Sequence, residues 1–455
     1  MKYAVLFWCL ICLSTAPISA QIQVAPDRYR IEFIDKNFNS YTLCQPELFL
    51  SQRALQRRER QGVKITHDDL PVSKFYIDSI KKMGFQVLNT SRWLNSATLK
   101  ATPEEIEKLQ EVDFVKKTTA IQTQKTEIQN EKLDDKLDEF KLVYDDAPEH
   151  YGRAAAQIGM LNGHALHRRG YSGQGMLIAV IDGGFYNVNQ LSGFENLRTS
   201  GRLREIKNFT PDVENPSGDN SHGTNVLSIL AAYLPGQLIG AAPDAEYVLL
   251  RSEEIEHEYI VEEDNWISAV EYADSLGVDV ISCSLGYTIF NNISQNHCKT
   301  TLDGRTVRTS RAATMAAARG IILCISAGND GDNNWRLMSV PADADSIIAV
   351  GAVYPDGQRA SFSSVGPTAD NRIKPDLMAV GARTAYQNSS GFIVFGNGTS
   401  YSTPLIAGLI ACLWQAKPNM TNMEIIRMVK KASSHYENPD MMYGYGIPNF
   451  LKLLD

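Results

Sequence analysis

Three strings separated by long stretches of chain carry residue types suited to nucleophilic chemistry: Val180-Ile181-Asp182-Gly183-Gly184, Ser221-His222-Gly223-Thr224 and Gly398-Thr399-Ser400-Tyr401-Ser402-Thr403-Pro404. A serine hydroxyl is protonated at neutral pH. It attacks a carbonyl only when an imidazole takes its proton while a carboxylate orients that imidazole. The strings supply Asp182 as acid, His222 as base and Ser400 as nucleophile. Their order along the chain discriminates. Lipase-like hydrolases run serine, acid, histidine with the serine in Gly-x-Ser-x-Gly, and chymotrypsin-like enzymes run histidine, aspartate, serine. Two further strings, Ser284-Leu285-Gly286 and Ser326-Ala327-Gly328-Asn329, each follow an apolar run, and Asn329 offers a side-chain amide to a developing oxyanion.

Groups so far apart in sequence meet only if a rigid frame brings them together. Segments 176–181, 247–250, 278–283, 321–325 and 347–350 are nearly continuous apolar runs, as expected of strands covered on both faces. Helical patterns over 223–234, 264–276 and 309–319 separate most of them, so a doubly wound α/β domain with a mostly parallel sheet is expected over 151–455. Asp182, Ser284 and Ser326 fall where strands end, the edge that lines the ligand crevice of such sheets. His222 and Ser400 instead begin helices, where unpaired N–H groups favour negative charge on a substrate oxygen. Pro404 reads as lying in the first turn of its helix, where a missing N–H is harmless. A capping box, Thr421 with Glu424, opens a late helix.

Upstream, residues 29–119 read strand, helices, strand, strand, helix, strand, a pattern suited to a small ferredoxin-like α+β domain spanning about 21–120. Thr102, Pro103 and Glu105 mark the start of its last helix, and 112–115 reads as the closing strand. Arg53, Arg57, Arg58 and Arg60 are expected on a solvated helix face. The stretch 121–150 is rich in Gln, Lys, Glu and Asp and reads as a solvated linker open to cutting.

The first 20 residues hold Lys2, an apolar run and a small-residue stretch ending at Ala20, a signal peptide in form, so secretion to an extracellular, periplasmic or cell-surface location is expected. That run and segment 405–414 are both too short to cross a bilayer, so no membrane anchor is expected in the mature chain. A net charge of −8 argues against general attraction to nucleic acid. Of 7 cysteines, Cys9 and Cys12 leave with the signal segment, and no Cys-x-x-Cys or His-rich spacing marks a zinc site. Cys283 and Cys324, inside strand-like runs, are expected to act as small buried hydrophobes.

Beyond the three catalytic strings, Gly173-Gln174-Gly175 precedes the aspartate strand, Gly240-Ala241-Ala242-Pro243 follows the histidine helix and Phe362-Ser363-Ser364-Val365-Gly366 precedes the serine segment. This pattern resembles the subtilisin family of serine peptidases over nearly the whole exported chain. The resemblance implies an endopeptidase working through an acyl-enzyme. Asp182 would be the orienting acid, His222 the general base and Ser400 the nucleophile, with the Asn329 amide and the Ser400 N–H as oxyanion donors. It also implies that Ser284, Leu285 and Gly286 pair with an extended peptide or protein substrate by strand addition, opposite a wall of Ser326, Ala327 and Gly328. The first unit similarly resembles the inhibitory propeptides of these enzymes, most clearly over 93–116, so the chain's own propeptide is an expected partner and cleavage is expected between about Gln122 and Tyr151. No cofactor is required for this chemistry. Structural calcium supports relatives, but Asp212, Glu214 and Asp219 form no assignable ligand spacing. The chain departs from the family where Gly183 replaces the frequent Thr or Ser after the aspartate, and where Tyr401-Ser402-Thr403 replaces Met-Ala-Thr or Met-Ala-Ala after the serine. The competing reading is a catalytically weak protein of the same fold that binds peptides in the same groove.

Overall fold

The computed structural model describes residues 26–123, 149–210, 215, 217–254 and 257–454. The expected signal segment, nearly all of the charged linker, Asp212 and Glu214 lie outside these residues.

The N-terminal unit runs β1 (Pro26–Phe33), α1 (Gln52–Gln61), α2 (Lys74–Lys82), β2 (Gln86–Ser91), β3 (Ser96–Lys100), α3 (Pro103–Gln110) and β4 (Val115–Thr123). Its antiparallel sheet has the order β2-β3-β1-β4, the ferredoxin-like arrangement expected. Ile31, Ile80, Leu99, Ile106 and Leu109 fill its core. The start of α3 forms as its sequence dictates, with Thr102 Oγ1 accepting from the Glu105 amide and Glu105 Oε2 accepting from the Thr102 amide.

The closing strand differs from expectation. It begins at Val115 and continues to Thr123, pairing Ile31 with Thr118 and Tyr29 with Ala120. Its far end is stabilised from outside the domain. Ile121 packs with Tyr259 and Val261, Gln122 Nε2 donates to Glu254 Oε2 at 3.1 Å, and the Ala120 carbonyl accepts from Gln295 Nε2 at 3.0 Å. The sequence after Thr119 gives no sign of these distant partners.

The larger unit opens with short helices α4 (Ala155–Met160) and α5 (Gly163–Arg168), followed by β5 (Leu177–Asp182), α6 (Glu195–Thr199), β6 (Leu203–Asn208) and α7 (His222–Ala231). α7 ends three residues before the expected Leu234, because Pro235 disfavours helical backbone at Leu234 and the chain turns into the hairpin β7 (Tyr233–Leu234) and β8 (Leu238–Ile239). Next come β9 (Glu246–Arg251), α8 (Val261–Leu276), β10 (Val280–Cys283), α9 (Arg308–Ala318), β11 (Ile322–Ser326), β12 (Ile348–Val353) and β13 (Leu377–Val380). A hairpin of β14 (Thr384–Gln387) and β15 (Ile393–Gly396) then leads into α10 (Thr399–Ala416) and α11 (Asn422–Lys431). The expected Thr421–Glu424 box caps α11.

Seven parallel strands form one sheet in the order β13-β12-β11-β10-β5-β9-β6. Residues of β5 alternate between two apolar layers: Ile178 and Val180 pack with α7 and α10, while Ala179 and Ile181 pack with α8 and α9. Burial on both faces explains why these strands read as unbroken apolar runs. The order reverses at β5, since β9 and β6 lie on one side of it and β10, β11, β12 and β13 follow on the other. A crevice therefore opens beyond the carboxyl ends of β5 and β10.

Half of the arginine cluster of α1 is buried, contrary to its local pattern, while Arg53 is half-buried and Arg60 exposed. Arg57 and Arg58 are both 1% exposed. Each pairs with Asp274 of α8, Arg58 also pairs with Asp69, and Arg53 and Arg60 pair with Asp279. Helical spacing could not reveal Asp274 and Asp279, more than 200 residues away.

Candidate active site

The site is built on that crevice. Asp182, the last residue of β5, is fully buried, and its Oδ1 accepts from the Gly183 amide at 2.8 Å and from His222 Nδ1 at 2.7 Å. An ionised carboxylate only accepts hydrogen bonds, so the proton of a neutral His222 sits on Nδ1 and Nε2 is left as the basic nitrogen. His222 is the first residue of α7, where the Asn220 side chain accepts its backbone N–H at 2.7 Å. Gly223 allows the close approach: a Cβ there would lie 2.5 Å from the Gly184 carbonyl oxygen and 2.9 Å from Asp182 Cβ.

Ser400 is the second residue of α10, and its Oγ donates to the Ser284 carbonyl at 3.4 Å. Pro404 lies within the helix, four residues after Ser400, which corrects its expected place in the first turn. The amide it lacks would have served the Ser400 carbonyl. Ser284 Oγ donates to that carbonyl instead, at 2.9 Å. Proline thus frees an acceptor that ties the nucleophile segment to the strand edge after β10.

Asn329 is exposed at the end of the β11 loop. Its Oδ1 accepts from both the Thr399 amide and Thr399 Oγ1 at 2.9 Å, which fixes the orientation of the amide and leaves Nδ2 as donor. A carbon placed on Gly398 would lie 3.7 Å from the Ser400 nitrogen and 3.8 Å from Asn329 Nδ2, so the two donors border one space.

The remaining predicted residues form two facing segments. Ser326 Oγ donates weakly to the Leu285 carbonyl at 3.5 Å, and Gly286 lies against Ser339, whose Cβ would be 2.6 Å from a Cβ at position 286. On the other segment, the Ala327 amide donates to the Val350 carbonyl at 2.9 Å and the Gly328 amide to Thr399 Oγ1 at 3.2 Å. Every predicted site residue therefore falls on one edge of the sheet.

Both departures from the family pattern have visible consequences. Gly183 brings no hydroxyl to the aspartate, and Asp182 Oδ2 is buried without a hydrogen-bond partner. Tyr401 is buried and stacked on Tyr386, with ring centroids 4.8 Å apart, and lies 6.3 Å from the His222 ring. Gly396 makes room for this pair, since a Cβ there would come within 2.7 Å of Tyr401 and 2.8 Å of Tyr386. Nearby, burial pushes the Cys283 thiol up to about 12, so it offers no rival nucleophile.

Sequence reasoning missed Asn220, Thr399 and Tyr386. Asn220 had a local signal, an Asx turn two residues before His222. Thr399 and Tyr386 act through contacts that no spacing announces.

Comparison with known proteins agrees with this architecture. Residues 173–446 match the subtilase family, and residues 28–136 match the Peptidase S8 propeptide domain of Bacteroidota. Subtilisin NAT from Bacillus subtilis subsp. natto is 31% identical over 299 residues, covering 64% of this chain and 69% of that one. Serine protease AprX from Bacillus subtilis (strain 168) is 28% identical over 343 residues, covering 68% and 71%. The crystal structure of MycP1 from Mycobacterium smegmatis superposes with a TM-score of 0.53 at 20% identity, covering 70% of this chain and 89% of that one, a likeness of fold. With its propeptide domain and seven-stranded parallel sheet, the chain belongs to the subtilase family and is a serine endopeptidase.

Proposed function

We propose that the protein is a secreted endopeptidase whose chemistry is carried by Asp182, His222 and Ser400, with residues 1–20 as its signal peptide. His222 Nε2 takes the proton from Ser400 Oγ as that oxygen bonds to the substrate carbonyl carbon. Asp182 holds the imidazole in the required tautomer and stabilises the imidazolium. The carbonyl oxygen, now negative, receives hydrogen bonds from Asn329 Nδ2 and the Ser400 amide. Collapse of this intermediate expels the amine, to which His222 returns the proton, and water then repeats the sequence to release the acyl group. The 2.7 Å bond between Asp182 and His222 is the observation that carries this assignment. No helix among the described residues is long and apolar enough to cross a membrane.

The N-terminal domain is read as an inhibitor removed by self-processing between about Gln122 and Tyr151. Support comes from β4, whose last residues are held by Gln295, Tyr259, Val261 and Glu254. Intact-mass analysis of the exported protein tests both assignments: wild type is expected to begin within 122–151, whereas Ser400→Ala retains Gln21 as its first residue. A Ser400→Ala chain processed like wild type, in a host lacking other proteases, would overturn self-cleavage.

A further inference from the structure

The segment receiving the propeptide tail carries an acidic group that peptide hydrolysis does not use. Glu253 follows β9, Glu258 lies in the loop and Glu262 stands in the first turn of α8. One carboxylate oxygen from each lies within 4.8 Å of the other two. Fixed neighbours hold them together. Glu253 Oε1 accepts from Tyr287 Oη at 2.5 Å and from Ser252 Oγ at 3.2 Å. The Glu258 backbone is clamped on both sides by Asn291, which accepts the Glu258 amide on Oδ1 at 2.7 Å and donates its own amide to the Glu258 carbonyl at 2.8 Å.

Glu262 is the second, independent observation. It is 0% exposed, its Oε1 accepts from the Glu254 amide at 2.7 Å, and its Oε2 has no hydrogen-bond partner. A buried carboxylate oxygen without a partner is costly unless something positive completes it.

We propose that Glu253, Glu258 and Glu262 bind a hard divalent cation, calcium in preference to magnesium, and that this ion braces the wall of the cleft that holds the propeptide tail. An all-oxygen carboxylate set suits calcium or magnesium rather than zinc or copper. Ligand number selects between the first two. Three carboxylates suit calcium, since magnesium keeps several of its waters and is usually held by one or two carboxylates. Backbone carbonyls and water complete the six to eight ligands that calcium takes. The ion connects to function through its own loop, since Glu254 accepts from Gln122, and Tyr259 and Val261 receive Ile121. By linkage, an ion that holds this loop also favours occupation of the cleft wall. Only that last connection rests on the proposed peptidase reading; the cation site stands apart from it.

The test uses full-length Ser400→Ala, which cannot digest itself, stripped with EDTA and titrated with calcium chloride or magnesium chloride by calorimetry and thermal melting. Calcium at about 100 times its dissociation constant is expected to raise Tm by about 5 °C. Adding Glu262→Gln or Glu258→Gln is expected to abolish that rise and remove one bound calcium per chain. In EDTA both variants should melt at or above the parent, since like charges have been relieved. If Glu262→Gln fails to fold, Glu258→Gln, at the partly exposed side of the site, decides the matter. An unchanged calcium response in the variants, a magnesium response equal to that of calcium, or variants less stable than the parent in EDTA would overturn the proposal. Because every readout is binding or melting, failure here is distinguishable from failure of Ser400 as nucleophile.

Discussion

The catalytic crevice and the seam between the two domains are held together by opposite means. The frame of the crevice is apolar on both sides of the sheet: Ile178, Val180, Ile281 and Leu323 are fully buried, and only short polar segments emerge at its edge. The seam is mainly ionic. Asp274 receives Arg57, Arg58 and Arg92, and Arg319 joins Asp69. Glu271 accepts from Ser91 Oγ at 2.6 Å and from the amides of Arg92 and Trp93 at 2.7 and 3.1 Å. One aromatic side chain, Trp93, enters the α8–α9 layer with Arg319 stacked over it, 4.6 Å from the ring centroid. An apolar frame has no use for water. A seam of charges can be rehydrated, so its parts can separate without leaving a large greasy surface. Permanent and releasable contacts are thus distinguished by chemistry within one chain.

Substitutions sharpen this contrast, because crevice and seam should fail separately. The largest effect belongs to Ser400→Ala and His222→Ala, each expected to lower kcat about 10⁶-fold, a magnitude carried over from subtilisin itself rather than derived from this geometry. Their melting temperatures should hardly move. At the seam, Asp274→Ala removes the carboxylate shared by three arginines, of which Arg58 keeps Asp69, and is expected to destabilise the Ser400→Ala precursor by about 3 to 5 kcal/mol. The same change in the processed enzyme should leave both melting and turnover close to wild type; equal losses in both forms would erase the proposed contrast. Asn329→Ala should lower kcat by about 10² to 10³, again a magnitude borrowed from subtilisin, with little change in denaturant midpoint.

Smaller effects probe the link between frame and chemistry. Ser284→Ala leaves the Ser400 carbonyl without its donor and is expected to cost about 1 to 3 kcal/mol on urea unfolding of the precursor, with a fall in kcat. Gly183→Ser should give the smallest change and the only gain. A Cβ there meets nothing closer than 3.6 Å, and a hydroxyl beside the unpartnered Asp182 Oδ2 should add about 1 kcal/mol of stability. Loss of stability in that variant would show that the orphan oxygen is satisfied in another way.

The same contrast explains what could be read in the sequence. Motifs of the crevice are local: Asp182 ends an apolar run, His222 and Ser400 open helices, and glycines sit where backbones must touch. Each could be located within about ten residues of its own neighbourhood. The seam has no such signature. Arg57 looks solvated because Asp274 is absent from its neighbourhood, and β4 looks finished before Thr123 because Ile121 and Gln122 are stabilised by another domain. Pro404 shows the limit even inside a motif: its sequence suggests the first turn of a helix, whereas it lies farther in, and the Ser284 hydroxyl that compensates for it has no local signal.

Labelling with a fluorophosphonate probe tests the central assignment most directly, because the probe bonds covalently to a serine only when a base removes its proton beside an oxyanion site. The processed protein is expected to gain one adduct per chain, mapped by peptide mass spectrometry to Ser400 and absent in His222→Ala. A folded, processed protein that gains no adduct, or carries it on another serine, would contradict the account.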